Sequence, residues 1–415
     1  MARNAVMSGL LVAGIVLMTA CGQSVPTIPQ QAGAPVKQTE RARAEVTMQY
    51  TYRASADSLH LYFLFFDVSR LMELQRSATS LTYEIAANGS TPAFRDTVDI
   101  IALPQPESGE DGIYVQVNIP REQVTDKGVM QLKLWQKFAG EARMHSVFRV
   151  PLSSAMLSKK AMLRVYRNNL PLVRHFTTTS DSLVLVSPDT VSAMLAYRFK
   201  PEFTPALPPM SVRQEAQPRA LKPQDSLMVT QGKPFVLEQE GLYLLWPKEA
   251  YARGLLAAPG HFPQVTMAKE MVEPLIYLTT SAERQQLYQA KDAKKTVDDF
   301  WLSVAGEKHL ARELIRTYYG RVEHANRLYT SHKPGWTTDR GMIYLVYGPP
   351  SDISRTNNNE TWIYRQTDSQ PYIKFVFTKK QNNFTENHYE LVRRREYEES
   401  WYSAVAKWRA GITDM

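Results

Sequence analysis

The chain of 415 residues contains a single cysteine, Cys21, and this limits how the protein can be held together. A lone thiol forms no internal disulfide and no multi-cysteine metal site, so the folded part must depend on apolar packing. Arg3 and an apolar stretch from Ala5 to Met18 come before Cys21. A stretch of this length is too short to span a membrane and suits the core of an export signal. We therefore expect residues 1–20 to be a signal peptide outside the fold.

The small residues Thr19 and Ala20 lead into Cys21, and this arrangement resembles the lipobox of bacterial lipoproteins. The resemblance implies that the signal is removed and that Cys21 carries acyl chains that anchor the protein in a membrane. The open alternative is an ordinary secretory signal that contains a cysteine. Gly22 stands where an Asp would retain some lipoproteins in the inner membrane, and no acidic run for surface display follows. We therefore expect an outer-membrane anchor, with the periplasmic face favoured over the cell surface.

The composition after the anchor separates a tether from a folded region. Residues 21–43 are rich in Gln, Pro, Ala and Thr, which is typical of a flexible tether. The remaining length suggests two to four domains. The net charge of +8 is spread along the chain, so it allows contact with anionic surfaces without forming a basic nucleic-acid-binding block. We expect a membrane contact through Cys21 and no nucleic-acid partner.

Residues 44–152 show the pattern of an all-β domain. Apolar residues recur at every second position over Met48–Tyr52 and Ile113–Ile119, which is the period of a half-buried strand. Leu59–Phe66 is continuously apolar and predicts a buried central strand. Further strands are expected at Leu81–Ala87, Gln131–Phe138 and Met144–Val150. Short strands at regular spacing indicate an immunoglobulin-like sandwich.

Residues 153–274 predict a second, irregular β-domain. Its strands are expected at Met162–Tyr166, Ser182–Val186, Val191–Phe199 and Gly241–Trp246. Six prolines lie between Pro201 and Pro223, and proline cannot donate to a strand ladder. We expect a sheet edge or a long surface loop there. A short helix is expected at Pro247–Leu256.

Residues 275–415 predict an α+β domain, so the expected fold is multidomain, with tandem β-domains before an α+β C-terminal domain. Thr280 and Glu283 have the spacing of a capping box. Glu307–Tyr329 has the apolar period of an amphipathic helix. A last helix is expected at Glu398–Arg409. Strands are expected at Met342–Tyr347, Thr361–Tyr364, Tyr372–Phe377 and Tyr389–Val392.

The segment after the long helix carries the motif Gly335-Trp336-Thr337-Thr338-Asp339, followed by Arg340, Gly341 and an apolar run. This segment resembles the signature of the GWxTD-domain family. Members of that family are largely exported and typical of Bacteroidetes-type bacteria. The resemblance covers the expected C-terminal domain and implies no particular activity, because no catalytic function is established for the family.

Six residues in and after this motif form the candidate binding or fold-defining site. They are Gly335, Trp336, Thr337, Asp339, Arg340 and Gly341. If the motif is structural, Gly335 takes a positive φ at a turn and Trp336 anchors the corner in the core. Gly341 then lets a strand start close to its neighbour.

The polar members of the motif allow two interpretations. In the structural one, Thr337 and Asp339 bond local backbone N–H groups. Arg340 then pairs with Asp339 or with a helix carboxylate. In the functional one, Trp336, Asp339 and Arg340 form a recognition notch for a peptide or a glycan. We favour the structural interpretation.

No catalytic, metal or cofactor pattern is evident in the sequence. The eight histidines show no HExxH spacing, and we expect His324 and His332 to be solvated or capping residues. Asp298 and Asp299 are adjacent on a helix, so their carboxylates diverge. The run Arg393–Arg395 precedes several glutamates and is expected at the surface.

Two functions follow from this pattern. The first is a lipid-anchored, non-catalytic scaffold or protein-binding module with an envelope protein as its partner, for example in outer-membrane assembly, secretion or motility. The second is a glycan- or peptidoglycan-binding protein, or a weak hydrolase, that uses the aromatic-rich C-terminal domain. Exposed rings around one groove would favour the second function, and buried rings would remove its main support.

Overall fold

The computed structural model describes most of the chain beyond the tether. The described residues are 48–66, 80–87, 94–98, 113–138, 141–187, 193–200, 203–212, 221–246, 253–356, 358–365 and 372–412. The expected signal, Cys21 and the tether lie outside them. Within the described residues, 19 strands form five sheets and six helices follow in the C-terminal part. The expected class of tandem β-domains followed by an α+β domain is confirmed. None of the described helices is long and apolar enough to cross a membrane.

Seven antiparallel strands form the first β-domain. They are β1 (Met48–Ala54), β2 (Ser58–Phe65), β3 (Ser80–Ala87), β4 (Phe94–Val98), β5 (Ile113–Pro120), β6 (Gly128–Phe138) and β7 (Glu141–Pro151). One sheet has the order β1-β2-β5 and the other β4-β3-β6-β7. Their buried side chains, among them Phe63 and Leu132, share one core. This is the two-sheet arrangement of the expected immunoglobulin-like sandwich.

Eight further strands form the second β-domain. They are β8 (Met162–Val165), β9 (Phe176–Thr178), β10 (Ser182–Val186), β11 (Ala193–Phe199), β12 (Asp225–Thr230), β13 (Pro234–Val236), β14 (Gly241–Leu245) and β15 (Arg253–Ala258). The sheets have the orders β13-β10-β8 and β12-β11-β14-β15-β9, and β15 runs parallel to β9.

The prediction of a helix at Pro247–Leu256 is wrong for residues 253–256, which the structure describes as a strand. Residues 247–252 lie outside the described residues, but β15 begins at Arg253 and pairs with β14. Gly254–Ala258 is buried on both faces, so its side chains show no polar alternation. Both a buried strand and a buried helix produce such an apolar run.

The third domain combines six helices with an antiparallel sheet. The helices are α1 (Ala268–Val272), α2 (Ser281–Gln289), α3 (Ala293–Ala305), α4 (Lys308–Tyr329), α5 (Asp339–Tyr347) and α6 (Tyr397–Arg409). The sheet has the order β16 (Asp352–Arg355), β17 (Asn359–Tyr364), β18 (Ile373–Lys379) and β19 (Tyr389–Leu391). The capping box is confirmed, because Thr280 and Glu283 bond each other's backbone N–H groups before α2.

The strand expected at Met342–Tyr347 is wrong, because this segment is the main part of α5. All nine residues of α5 are buried, so the helix has no polar face that would reveal its period. Thr338 caps its N-terminus, and Gly348 ends it with a φ of +81°. The residues of this run that generally favour strands are therefore helical because of the packing around them, not because of their local preference.

An aromatic cluster joins three of the helices in the core. The ring centroid of Tyr318 on α4 lies 5.4 Å from that of Trp301 on α3 and 5.2 Å from that of Trp408 on α6. The Tyr318 hydroxyl donates to the Pro274 carbonyl at 2.6 Å, and the Trp408 indole donates to the Val346 carbonyl at 2.9 Å. This core supports the segment between α4 and α5.

Candidate functional site

The two glycines of the motif lie where backbone segments touch. A Cβ atom on Gly335 would lie under 3.0 Å from the carbonyl oxygen of Ala325 on α4. A Cβ atom on Gly341 would lie equally close to the carbonyl oxygen of Gly335. The positive φ expected at Gly335 is wrong, since this residue is not among the described glycines with such an angle. Both residues are instead glycine because α4, the motif and α5 pack backbone against backbone.

Trp336 lies in the core of the third domain and is 8% exposed. Its ring meets that of Tyr277 edge-on, with centroids 6.2 Å apart. Its backbone N–H donates to the Asn326 side-chain oxygen at 3.2 Å, and its carbonyl accepts from the Tyr277 hydroxyl at 3.3 Å. Trp336 therefore connects the motif to α4 and to the segment before α2.

The helix cap is formed by Thr338, which the sequence analysis did not single out. Its hydroxyl accepts from the Gly341 N–H at 3.1 Å and donates to the Gly335 carbonyl at 2.7 Å. Thr337, expected to bond a backbone N–H, instead donates to the Pro334 carbonyl at 2.7 Å. A threonine before an acidic residue is a common helix start, but this signal was missed because a strand was expected.

Asp339 reaches across the domain to the last strand. Its carboxylate accepts from the Leu391 N–H at 2.7 Å and from both terminal nitrogens of Arg393 at 2.6 and 3.2 Å. The expected pairing with Arg340 and the expected local backbone bond are therefore wrong. The paired side chains are 7% exposed for Asp339 and 19% exposed for Arg393.

Arg340 binds a different set of groups from Asp339. It donates to both the carbonyl and the side-chain oxygen of Asn387 and lies 4.1 Å from the ring centroid of Tyr389. Its nearest carboxylate is Glu360, 3.6 Å away on β17 rather than on a helix. Burial by itself raises the pKa of Glu360, but the charges of Arg355 and Arg340, together with hydrogen bonds from Trp362 and Arg355, lower this pKa overall. Glu360 is therefore a buried anion that holds Arg340 in place.

The proline-rich segment packs against the motif over residues 203–209. The Ala206 N–H donates to the Thr337 carbonyl at 2.9 Å, and Ala206 is buried. Lys333 donates to the Thr204 carbonyl at 3.0 Å, and Arg393 donates to the Leu207 carbonyl at 3.1 Å. These residues were expected at a sheet edge or in a surface loop. They are instead attached to the third domain through the N–H of Ala206 and the carbonyls of Thr204 and Leu207.

A cavity of about 580 Å³ lies beside the motif, and we refer to it as the motif cavity. It is lined by the end of the proline-rich segment at 210–212, by Lys333, by Thr338 and Asp339 at the start of α5, and by residues of the segment 388–395 around β19. Its walls carry Lys333 and the arginines at 393–395, together with Asp339 and Glu390. The surface position expected for the arginine run holds for Arg394 and Arg395, whereas Arg393 is half-buried against Asp339. No group that could hold a metal ion occurs in the described part of the chain.

His332 precedes the cavity-lining Lys333 in the chain and is buried, whereas a solvated or capping residue was expected. Its ring is 2% exposed and meets the rings of Phe203 and His388, with centroids 4.6 and 4.9 Å away. Burial, with His388 and Lys333 nearby, lowers the pKa of His332 from 6.5 to about 3. His332 is therefore neutral in the folded protein at ordinary pH.

The buried His332 predicts a loss of stability in mild acid. Between pH 6.5 and 3 the unfolded chain binds a proton at this residue that the folded chain does not, so stability falls as the pH falls. The expected loss from His332 is about 2 kcal/mol between pH 7 and pH 5. Urea unfolding at the two pH values measures it. His332→Gln should reduce the pH dependence, whereas His309→Gln, on an exposed side chain, should leave it unchanged. Equal pH dependence in both variants would contradict this origin.

Comparison with known families identifies one domain. A GWxTD domain is found at residues 241–410, which takes in β14 and β15 as well as the helices and sheet of the third domain. No curated protein matches the chain.

Proposed function

We propose that the protein is a lipid-anchored, non-catalytic scaffold of the bacterial envelope that holds a partner protein at the membrane. The observation that carries this proposal is the use of the motif's charges inside the fold. Asp339 is held by Arg393 and the Leu391 N–H, and Arg340 by Asn387 and Glu360. Groups held in this way connect structural elements, so the motif serves as a fold-defining corner rather than as a reactive centre.

Contacts between the three domains also support a scaffold. The Gln49 side chain of the first domain donates to the Leu328 carbonyl of the third at 2.9 Å. The Ala54 N–H donates to the Lys159 carbonyl of the second domain at 2.7 Å. Gly254 of the second domain lies against the backbone of Phe384 in the third. The described residues of the three domains belong to one compact unit, which a lipid at Cys21 would hold through a short tether.

The glycan-binding alternative depends on tryptophan rings that are buried in the structure. Trp336, Trp362 and Trp401 are 8%, 0% and 4% exposed, and each belongs to the core of the third domain. Sugar rings bind to accessible aromatic faces, which these side chains do not offer. We therefore favour a protein partner.

The lipid anchor predicts a change in location when Cys21 is replaced. We expect Cys21→Ala to move the protein from the membrane fraction to the soluble fraction, because the acylated residue is the proposed attachment. The urea unfolding midpoint of the folded region should stay the same, since Cys21 precedes the compact unit. Ser24→Ala is the matched control and should remain in the membrane fraction. Retention of Cys21→Ala in the membrane would contradict the lipid anchor.

The scaffold proposal is tested by the partner. Mild crosslinking of intact cells, followed by affinity purification of the full chain, should recover one envelope protein in near-stoichiometric amount. The Cys21→Ala variant should recover less of it, because the two proteins are then no longer held at the same membrane. Recovery of the protein alone would contradict a scaffold function.

A further inference from the structure

The motif cavity carries more positive than negative side chains. Lys333, Arg393, Arg394 and Arg395 line it, against the carboxylates of Asp339 and Glu390. Asp339 is already neutralised by Arg393, and the Glu390 carboxylate lies 3.3 Å from His388. The cavity therefore presents a positive potential to whatever enters it.

Two of these cations are accessible to a ligand. The Arg395 side chain is exposed and forms no ion pair or hydrogen bond with the described residues. Arg394 pairs with Glu396 at 3.1 Å, but the two side chains are 51% and 68% exposed. Ion pairs this exposed contribute little stability, so Arg394 can exchange Glu396 for another anion at small cost.

The other walls are apolar or offer hydrogen-bond acceptors. Met210, Val212 and Leu391 provide apolar surface, and Val212 is 76% exposed. The Glu390 side chain is 42% exposed and can accept hydrogen bonds. The volume of about 580 Å³ lies within the range of ligand pockets in proteins.

We propose that the motif cavity binds an acidic segment of a partner protein. The guanidinium groups of Arg394 and Arg395 bind carboxylates of that segment in the forked geometry that arginine favours. Glu390 accepts a hydrogen bond from the segment's backbone, and Met210 and Val212 contact an apolar side chain beside the acidic ones. This inference rests on the proposed scaffold function and names the chemistry by which the partner is held.

A peptide segment fits the cavity better than a membrane surface does. The charged groups lie around a concave space, whereas a lipid bilayer presents a flat face. The exposed Glu390 carboxylate would repel a uniformly anionic surface, but it suits a segment that carries both carboxylates and N–H donors.

The test uses the full chain and two fluorescein-labelled octapeptides, one of alternating Glu and Leu and one of alternating Lys and Leu. Fluorescence anisotropy should show binding of the Glu peptide only, and binding should weaken as salt is raised. The variant with both Arg394→Glu and Arg395→Glu should bind the Glu peptide at least tenfold more weakly. Arg316→Glu, an exposed arginine on α4, is the matched control and should bind within twofold of the unchanged protein. Arg395→Ala provides a second variant if the double variant has an altered urea midpoint.

Three results would overturn the proposal: equal binding of both peptides, unchanged binding by the double variant and by Arg395→Ala, or no peptide binding. Binding to phosphatidylglycerol vesicles that is lost in the double variant, with no peptide binding, would assign the cations to the membrane instead. The crosslinking experiment separates this inference from the scaffold function. If the double variant still captures the partner in full amount, the cavity proposal fails and the scaffold function stands. If the unchanged protein captures no partner but binds the Glu peptide, the scaffold function fails, while the preference of the cavity for acidic peptides stands.

Discussion

A Gly335→Ala variant is expected to lose about 3 kcal/mol or more of its free energy of unfolding, because the corner between α4 and α5 has no space for a methyl group. The added carbon would lie under 3.0 Å from the backbone of both Ala325 and Asn326. Backbone atoms within a buried helix cannot move aside as the end of a flexible side chain can. Urea unfolding followed by tryptophan fluorescence measures the loss, since Trp336 lies beside the substitution.

Gly320 on the same helix provides the matched control. It is exposed, and a Cβ atom there would meet no other group within 4 Å. Gly320→Ala should raise stability by about 0.5–1 kcal/mol, because alanine loses less backbone entropy in a helix than glycine does. The two substitutions add the same methyl group, so opposite signs would assign the effect to the corner. Equal midpoints for both variants would show that α4 and the motif can separate without cost.

An Asp339→Ala variant is expected to lose about 3–5 kcal/mol, because it leaves the half-buried Arg393 without its carboxylate. The backbone N–H of Leu391 would lose its acceptor as well. The connection between α5 and β19 would therefore weaken at two points. The shift in urea midpoint at constant slope gives the loss in free energy of unfolding.

Removing both partners separates the energetic cost of leaving the Arg393 charge unpaired from the loss of the contacts that the ion pair makes. The double variant Asp339→Ala with Arg393→Leu should be more stable than Asp339→Ala alone, since the uncompensated charge is gone. Asp339→Asn keeps an oxygen that can accept from Leu391, so it should fall between the unchanged protein and Asp339→Ala. An Asp339→Ala variant as stable as the unchanged protein would contradict the structural interpretation of the motif. The scaffold proposal would then lose its main support.

The ion pair between Asp339 and Arg393 connects the motif to the motif cavity. Asp339 holds Arg393 inward, while the next two arginines, Arg394 and Arg395, remain exposed. The chain direction at the end of β19 therefore depends on a residue of the motif. A motif that is structural in itself thus orients the cations that we propose for partner binding.

Local patterns in the sequence predicted most elements of the fold. Strands β1 and β5 of the first domain were recognised because apolar residues on one face of each pack into the core and polar residues alternate with them, which produces a period of two. Helix α4 was recognised for the same reason at the helical period, and the capping box before α2 is complete within four residues. The strands β4, β9, β12, β13, β15 and β16 were missed, because strands that are short, mostly exposed or wholly buried show little alternation.

The sequence by itself determined the elements whose signal is local: the one-sided strands, the amphipathic helix and the motif from Gly335 to Asp339. Only the tertiary structure decided that the apolar run after this motif is helix α5, because burial on all sides removes any period. Only the tertiary structure paired Asp339 with Arg393 and Arg340 with Glu360, since these partners lie far apart in the chain. It also brought the proline-rich segment onto the motif and formed a cavity lined by Arg394 and Arg395. A sequence shows which charges a chain carries, but which of them remain free depends on what the fold places beside them.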